Sequence, residues 1–209
     1  MEKLKLGVLV SGTGTNLQAI LEAIKAGTLN AEVRVVISNK AEALGLERAR
    51  LAGIPAVAIS HRDYASREAF DVALVAELRR KQVDWVVLAG FMRIVTNVLL
   101  DAFTDRVVNI HPALLPAFPG VQAQRQAIQY GVKVTGCTVH FVEPGVDSGP
   151  IIAQQSVEVL PADDEASLSR RLLAVEHRLL VEVLQQVALG KVHLHRGENG
   201  RRRVNVELS

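Results

Sequence analysis

Cysteine occurs once in the 209 residues, aromatic residues make up 4%, and the formal charge is only +2. A single thiol excludes an internal disulfide framework and any zinc cage built from cysteines, and it accords with a reducing compartment. Cys137 therefore reads as a small buried hydrophobe. The near balance of 24 basic and 22 acidic side chains gives no basis for non-specific nucleic-acid binding, but leaves room for a phosphorylated small molecule. Long apolar runs are missing too. The best candidate, from Trp85 onward, is interrupted by Arg93 and falls short of the roughly 20 residues that cross a bilayer. The run over residues 6–10, behind the charged start from Met1 to Lys5, is too short for a signal-peptide core. A cytoplasmic chain without a membrane partner is the expectation. What is present, 49% hydrophobic and 22% charged residues with 15 Gly and 7 Pro, excludes disorder, collagen and low complexity and suits a continuous core.

The first two-thirds alternate short β-branched runs with longer amphipathic ones. Strands are expected over residues 5–10, 33–37, 56–59, 85–89 and 106–109, and helices over 16–26, 44–52 and 67–81. Four such crossovers predict an α/β fold, a three-layer doubly wound sheet, mostly parallel and Rossmann-like in the amino-terminal half. The last third predicts a mixed extension: strands over 134–142 and 151–159, a long helix over 163–189 favoured by Asp163, Asp164 and Glu165 at its start, and a hairpin of 192–195 with 203–206 around Gly-Glu-Asn-Gly. One domain over 1–209 is expected, with a phosphate-binding half, 1–110, and a sheet-extending half, 111–209. In doubly wound sheets ligands gather beyond the carboxyl ends of the strands, which draws attention to the loops after Val10, Ala89 and Asn109.

Ser11-Gly12-Thr13-Gly14-Thr15-Asn16-Leu17 follows a strand and opens a helix, so its N–H groups and the helix dipole can hold an anion. The plainer reading is a tight turn in which Thr15 or Asn16 caps the helix. Leu17 stands where a dinucleotide fingerprint needs its third glycine, no acid closes the second strand at Ser38-Asn39-Lys40, and no Gly-Lys-Ser/Thr follows. A phosphomonoester on a short sugar fits better than NAD or a nucleoside triphosphate.

Asn109 and His111 alternate onto one side of an extended segment. An amide that donates without titrating, beside an imidazole that can pass a proton near neutrality, suits an acyl-transfer site with a transient oxyanion; a capped strand end with a buried imidazole is the bland alternative. Pro112, Pro116 and Pro119 predict a stiff loop after them. Asp147, in the turn before Ser148-Gly149-Pro150, completes a triad if the fold brings it to His111, whose pKa it would then raise. Three other patterns carry less weight. His61-Arg62-Asp63 echoes a kinase catalytic loop but reads as surface. His111, His140 and Asp147 make a weak metal set, and Ser11 lacks the Gly-x-Ser-x-Gly setting of a nucleophile.

Over nearly its whole length the chain resembles the phosphoribosylglycinamide formyltransferase family of folate-dependent enzymes. The resemblance rests on Val10-Ser11-Gly12-Thr13-Gly14-Thr15-Asn16-Leu17, Ile37-Ser38-Asn39-Lys40, Gly45-Leu46-Glu47-Arg48-Ala49 and Leu88-Ala89-Gly90-Phe91-Met92-Arg93-Ile94. Asn109-Ile110-His111-Pro112-Ala113-Leu114-Leu115-Pro116, Gly136-Cys137-Thr138-Val139-His140-Phe141-Val142, Asp147-Ser148-Gly149-Pro150 and Glu176-His177 continue it. It implies formyl transfer from 10-formyltetrahydrofolate, a co-substrate, to glycinamide ribonucleotide in purine biosynthesis. Asn109, His111 and Asp147 would be catalytic and no metal is needed. Gly14, Thr15 and Asn16 would hold the phosphate, and Glu176 the ribose or amine. The folate would lie against Met92, Arg93, Ile94, Val95, Asn109 and the turn Glu143, Pro144, Gly145, Val146 and Asp147, with Arg67 near its glutamate tail. Partners would be these small molecules and no nucleic acid, the chain a monomer or homodimer. Two departures stand out: Gln122 replaces a histidine frequent in the family's mobile loop, and Leu180-Val181 replaces Tyr-Pro.

The same triad serves other folate-dependent formyl enzymes. Formylation of initiator transfer RNA would call for a further basic domain, and hydrolysis of formyl folate would not need the phosphate loop. An idle sugar-phosphate-binding module or a dinucleotide-dependent oxidoreductase are the readings from other classes.

Overall fold

The computed structural model describes residues 2–198 and 200–207. Met1 of the charged start and Asn199 of the expected hairpin turn lie outside them. Seven strands form one mixed sheet in the order β3-β2-β1-β4-β5-β6-β7, with flanking helices, and two more form a separate hairpin. The chain divides into two compact units, Met1–Asn109 and Ile110–Ser209, with the boundary inside one strand.

In the first unit β1 (Leu4–Val10), β2 (Ala31–Ser38), β3 (Ala56–Ala58) and β4 (Trp85–Leu88) alternate with α1 (Thr15–Lys25), α2 (Leu44–Leu51) and α3 (Arg67–Arg80), and β5 (Val107–His111) follows the short α4 (Asn97–Ala102). β1 pairs in parallel with β2 and β4, β2 with β3, and β4 with β5. The chain thus winds outward from β1 to β3 and returns on β1's other side, so the switch point of the topology lies between β1 and β4. Both strands run apolar and buried to their ends, as parallel strands covered on both faces must, with Val8, Leu9, Val86 and Val87 fully buried. His61–Asp63, expected as surface loop, forms a single 3₁₀ turn.

In the second unit β6 (Val134–Phe141) and β7 (Ile151–Glu158) pair antiparallel, and α6 (Glu165–Ala188) packs on both. Leu168, Leu172, Leu179, Leu180, Val183 and Leu184 form its buried stripe. Asp164 and Ser167 close a reciprocal capping box at its start. β8 (Val192–Arg196) and β9 (Arg202–Val206) make the terminal hairpin, and β9 contacts β7. Cys137 is fully buried, as expected, and burial pushes its thiol up to about 12, the nearby Glu176 charge adding to the effect.

Two helices escape sequence reasoning. α4 is six residues long, under two turns, and presents no period to read. α5 (Ala123–Tyr130) follows the proline-marked loop after His111, where no helix was expected, and buries only Ala123 and Ala127, too little apolar mass to show a stripe.

Candidate functional site

In the first unit, the loop after β1 turns into α1 through Gly14, which sits at the N-cap with φ 69° and offers no side chain to the helix. Neither Thr15 nor Asn16 is the cap, which corrects the plainer reading of this loop. The first-turn N–H groups of a helix lack carbonyl partners within it, and α1 has no acidic residue there, so that end keeps its positive potential for an anion. Gly14 is required twice over. Its φ suits glycine, and a Cβ would stand 2.6 Å from the Gly45 Cα where α2 begins. Gly45 N–H donates to the Gly12 carbonyl at 3.0 Å, and Arg48 Nε donates to the Thr13 carbonyl at 2.8 Å. The Gly45–Ala49 motif thereby braces the loop, and Arg48 adds a cation that sequence reasoning did not single out. Gly14→Ala is expected to destabilise the fold by about 1–3 kcal/mol in urea unfolding, since both the left-handed backbone and the backbone contact are violated.

The same unit holds Met92, Arg93, Ile94 and Val95 between β4 and α4. Met92 and Ile94 are 63% and 50% exposed, whereas Val95 is buried. The segment is anchored at both ends. Met92 N–H donates to Ser11 Oγ at 2.8 Å, and Ser11 Oγ donates to Asn39 Oδ1 at 2.6 Å, which links the ends of β1, β2 and β4. At the other end the buried Asp71 carboxylate accepts from Thr96 N–H and Oγ at 2.5 and 2.8 Å. Burial raises the Asp71 pKa against those two bonds. Ser11 is thus a structural acceptor and no nucleophile is built around it. Arg67 is the exposed first residue of α3, the helix that also carries Asp71.

In the second unit His111 ends β5 and is buried, and Asp147 lies in the turn between β6 and β7 with φ 49°. The two groups expected to meet lie side by side: His111 Nδ1 stands 3.3 Å from Asp147 Oδ2. A third group joins them, with His140 Nε2 3.6 Å from Asp147 Oδ1. Each imidazole also turns its other nitrogen to a backbone carbonyl, His111 Nε2 to Phe118 and His140 Nδ1 to Phe141, both at 2.8 Å. A neutral imidazole has one N–H for these two acceptors, while an imidazolium satisfies both. The arrangement is a chain with the carboxylate in the middle, not a convergent ligand set, and among the described residues no group of three His, Cys, Asp or Glu could hold a metal ion. Gly120 N–H donates to Asp147 Oδ2 at 2.7 Å, and Gln126 Nε2 donates to the Pro119 and Val121 carbonyls at 3.2 and 2.9 Å. The segment after His111 is therefore folded back over the carboxylate.

The charge of Asp147 pulls the His111 pKa up as expected, but the net shift is downward. Burial lowers it, outweighing the upward pull of Asp147 and of the Phe118 carbonyl, and His140 adds a further downward push. For Asp147 burial acts upward but is overcome by the His140 bond, the Gly120 N–H and the charges of both imidazoles, so its pKa is lowered. The lowered His111 pKa carries a stability consequence. Unfolded His111 titrates near 6.5, so below that pH the unfolded chain binds a proton that the folded chain refuses, and stability falls until the folded group titrates as well. Urea unfolding should show this loss between pH 7.5 and 5.5, and less of it in His111→Phe.

Asn109 precedes His111 by two residues on β5 and is half-buried, on the same side of the strand by alternation. Glu176 is buried on α6 near Cys137. Glu143, Pro144, Gly145 and Val146 lead into Asp147, and Val146 is 50% exposed. Gln122, one of the two departures, starts α5 with φ 58°. At the other departure, Leu180 is fully buried within the apolar stripe of α6, a role that a tyrosine would not fill in the same space.

The formyl transferase family model matches residues 4–184. The chain belongs to the formyl transferase family. Within it, the chain groups with the phosphoribosylglycinamide formyltransferases. It is similar to glycinamide ribonucleotide transformylase 1 from Symbiobacterium toebii, with 52% identity and a TM-score of 0.94 over 98% of this chain and 94% of that one. The phosphoribosylglycinamide formyltransferase of Escherichia coli (strain K12) is 43% identical over 90% of this chain and 89% of its own length. The trifunctional purine biosynthetic protein adenosine-3 of Drosophila melanogaster is 48% identical over 89% of this chain, which spans only 14% of that relative's length. The doubly wound fold expected from the sequence is thus that of a formyl transferase. His140, named from the sequence only in a weak metal set with His111 and Asp147, stands beside both as part of the chain instead, whereas Phe118, Gly120 and Gln126 were missed because the way the loop after His111 folds back leaves no motif in the sequence.

Proposed function

We propose that this formyl transferase moves a formyl group from 10-formyltetrahydrofolate to the amine of glycinamide ribonucleotide. The observation that supports this best is the His111–Asp147–His140 chain placed two residues beyond Asn109, in a fold shared with relatives that carry that name. The neutral amine attacks the formyl carbon to give a tetrahedral intermediate with a negative oxygen, which collapses as the C–N10 bond breaks, and the amine proton passes to N10. Asn109 and His111 donate to the oxygen that becomes negative in between, and Asp147 holds the His111 ring and organises the proton's route. No covalent enzyme intermediate is required.

The Gly14-Thr15-Asn16 segment would take the nucleotide's phosphate at the α1 amino end, and Glu176 its ribose or amine. Exposed Met92, Ile94 and Val146 offer apolar surface suited to a pterin ring, and Arg67 a bidentate partner for a carboxylate. Arg93, Val95 and the backbone of residues 143–147 complete the folate contacts. The partners are small molecules, and no described helix is long and apolar enough to cross a membrane.

Absorbance at the folate chromophore tests the proposal. Purified protein with both substrates should deformylate the folate at a rate that depends on the nucleotide. Deformylation indifferent to the nucleotide would instead indicate hydrolysis, and none at all would indicate a binding module.

A further inference from the structure

A side-chain tie joins the turn that carries Asp147 to the terminal hairpin. Arg202, at the start of β9, places NH1 3.0 Å from Glu143 Oε1, with both side chains about two-thirds buried. Glu143 opens the turn, two residues after β6 ends and four before Asp147. The turn is otherwise steadied from within. Ser148 Oγ donates to the Pro144 carbonyl at 3.3 Å, and Gly149 is packed so close to the Phe141 carbonyl that no Cβ would fit. Pro144, Gly145 and Val146 are exposed, and Asp147 holds a left-handed φ that costs free energy unless its surroundings impose it. The hairpin is itself anchored, since β9 contacts β7, and its base is closed by Glu207 N–H donating to the Lys191 carbonyl at 3.0 Å. Arg202 also lies beyond the segment matched by the family model, which stops at residue 184.

We propose that Arg202 is a positioning residue that, through Glu143, holds the 143–147 turn in the conformation that sets Asp147 against His111 and His140. The hairpin thereby serves as an outrigger of the site, and Arg202 touches no reacting atom. The consequence for catalysis rests on the formyl-transfer reading above, but the positioning itself does not. A partly exposed, partly buried ion pair of this kind shifts an equilibrium by about two- to five-fold, and that sets the expected effects.

Amide hydrogen exchange of the intact chain reads the turn without any substrate. In Arg202→Gln, exchange at the Gly120 amide, which Asp147 Oδ2 holds at 2.7 Å, should quicken about two- to five-fold, with the α6 amides unchanged. The His111 ring signals should titrate at lower pH as the Asp147 charge spends less time beside it. Arg202→Lys should restore part of both. The exchanged pair Glu143→Arg with Arg202→Glu should restore more than either single variant, which a merely structural loss would not do. With formyl transfer established, kcat should fall by a similar factor in Arg202→Gln. Unchanged exchange at the Gly120 amide and an unmoved His111 titration in Arg202→Gln would overturn the proposal. A wild-type chain that shows no nucleotide-dependent deformylation would overturn the formyl-transfer reading while leaving the exchange result to stand or fall separately.

Discussion

His111→Ala should lower turnover in nucleotide-dependent deformylation by about 10²–10³-fold, roughly 3–4 kcal/mol of transition-state stabilisation. The imidazole is buried and held by the Phe118 carbonyl and Asp147, so it is fixed before substrate arrives and loses little on the way to the transition state. Burial keeps its pKa low, so at neutral pH the resting ring is neutral and can donate a hydrogen bond to the formyl oxygen as negative charge grows there. The loss should appear in kcat more than in KM, because the interaction strengthens only as the oxygen becomes charged. Removing the ring also leaves the Phe118 carbonyl without this donor, at a cost of about 1–3 kcal/mol in urea unfolding. Near-wild-type turnover in a folded His111→Ala protein would remove the imidazole from the mechanism.

Asp147→Asn should reduce kcat by a comparable 10²–10³-fold or so, and it is the cleaner of the two substitutions. Asparagine tolerates the left-handed backbone that Asp147 adopts at φ 49°, and its carbonyl oxygen can still accept from Gly120 N–H. What it loses is the charge between two imidazoles. Asp147 is the largest influence raising the His111 pKa against burial, so without it the folded pKa should fall further. The acid limb of kcat against pH should therefore shift to lower pH while its plateau drops. A lowered plateau with an unmoved limb would mean that Asp147 does not act through His111. Wild-type kcat would mean that it does not act at all.

The amino-terminal half was legible because its signals are local. β1, β4 and the glycine loop are short apolar or glycine-marked segments whose meaning is complete within ten residues, and the expected strand ends lie within about two residues of those observed. α6 was legible for the same reason, as its apolar period runs for more than six turns. The hairpin β8–β9 was recognisable from its turn, whereas the tie from Arg202 to Glu143 was not, since 59 residues separate them. Asp147 alone reads as a turn aspartate, and it was a triad candidate only on the condition that the fold brings it to His111. The one electrostatic expectation that failed, a raised His111 pKa, failed because proximity to a charge was foreseen and the depth of burial around it was not.

From residue order alone came the elements with a sustained period, the α/β winding, the anion-accepting start of α1 and the candidates Asn109 and His111, all features set by backbone sterics and side-chain alternation among near neighbours. Tertiary structure alone decided that His140 stands behind Asp147, that Phe118 and Gly120 close over the pair, that Gly45 packs against Gly14, and which way each buried pKa moves. Those outcomes depend on distances and desolvation between groups far apart along the chain, and such quantities exist only once the backbone has closed its loops.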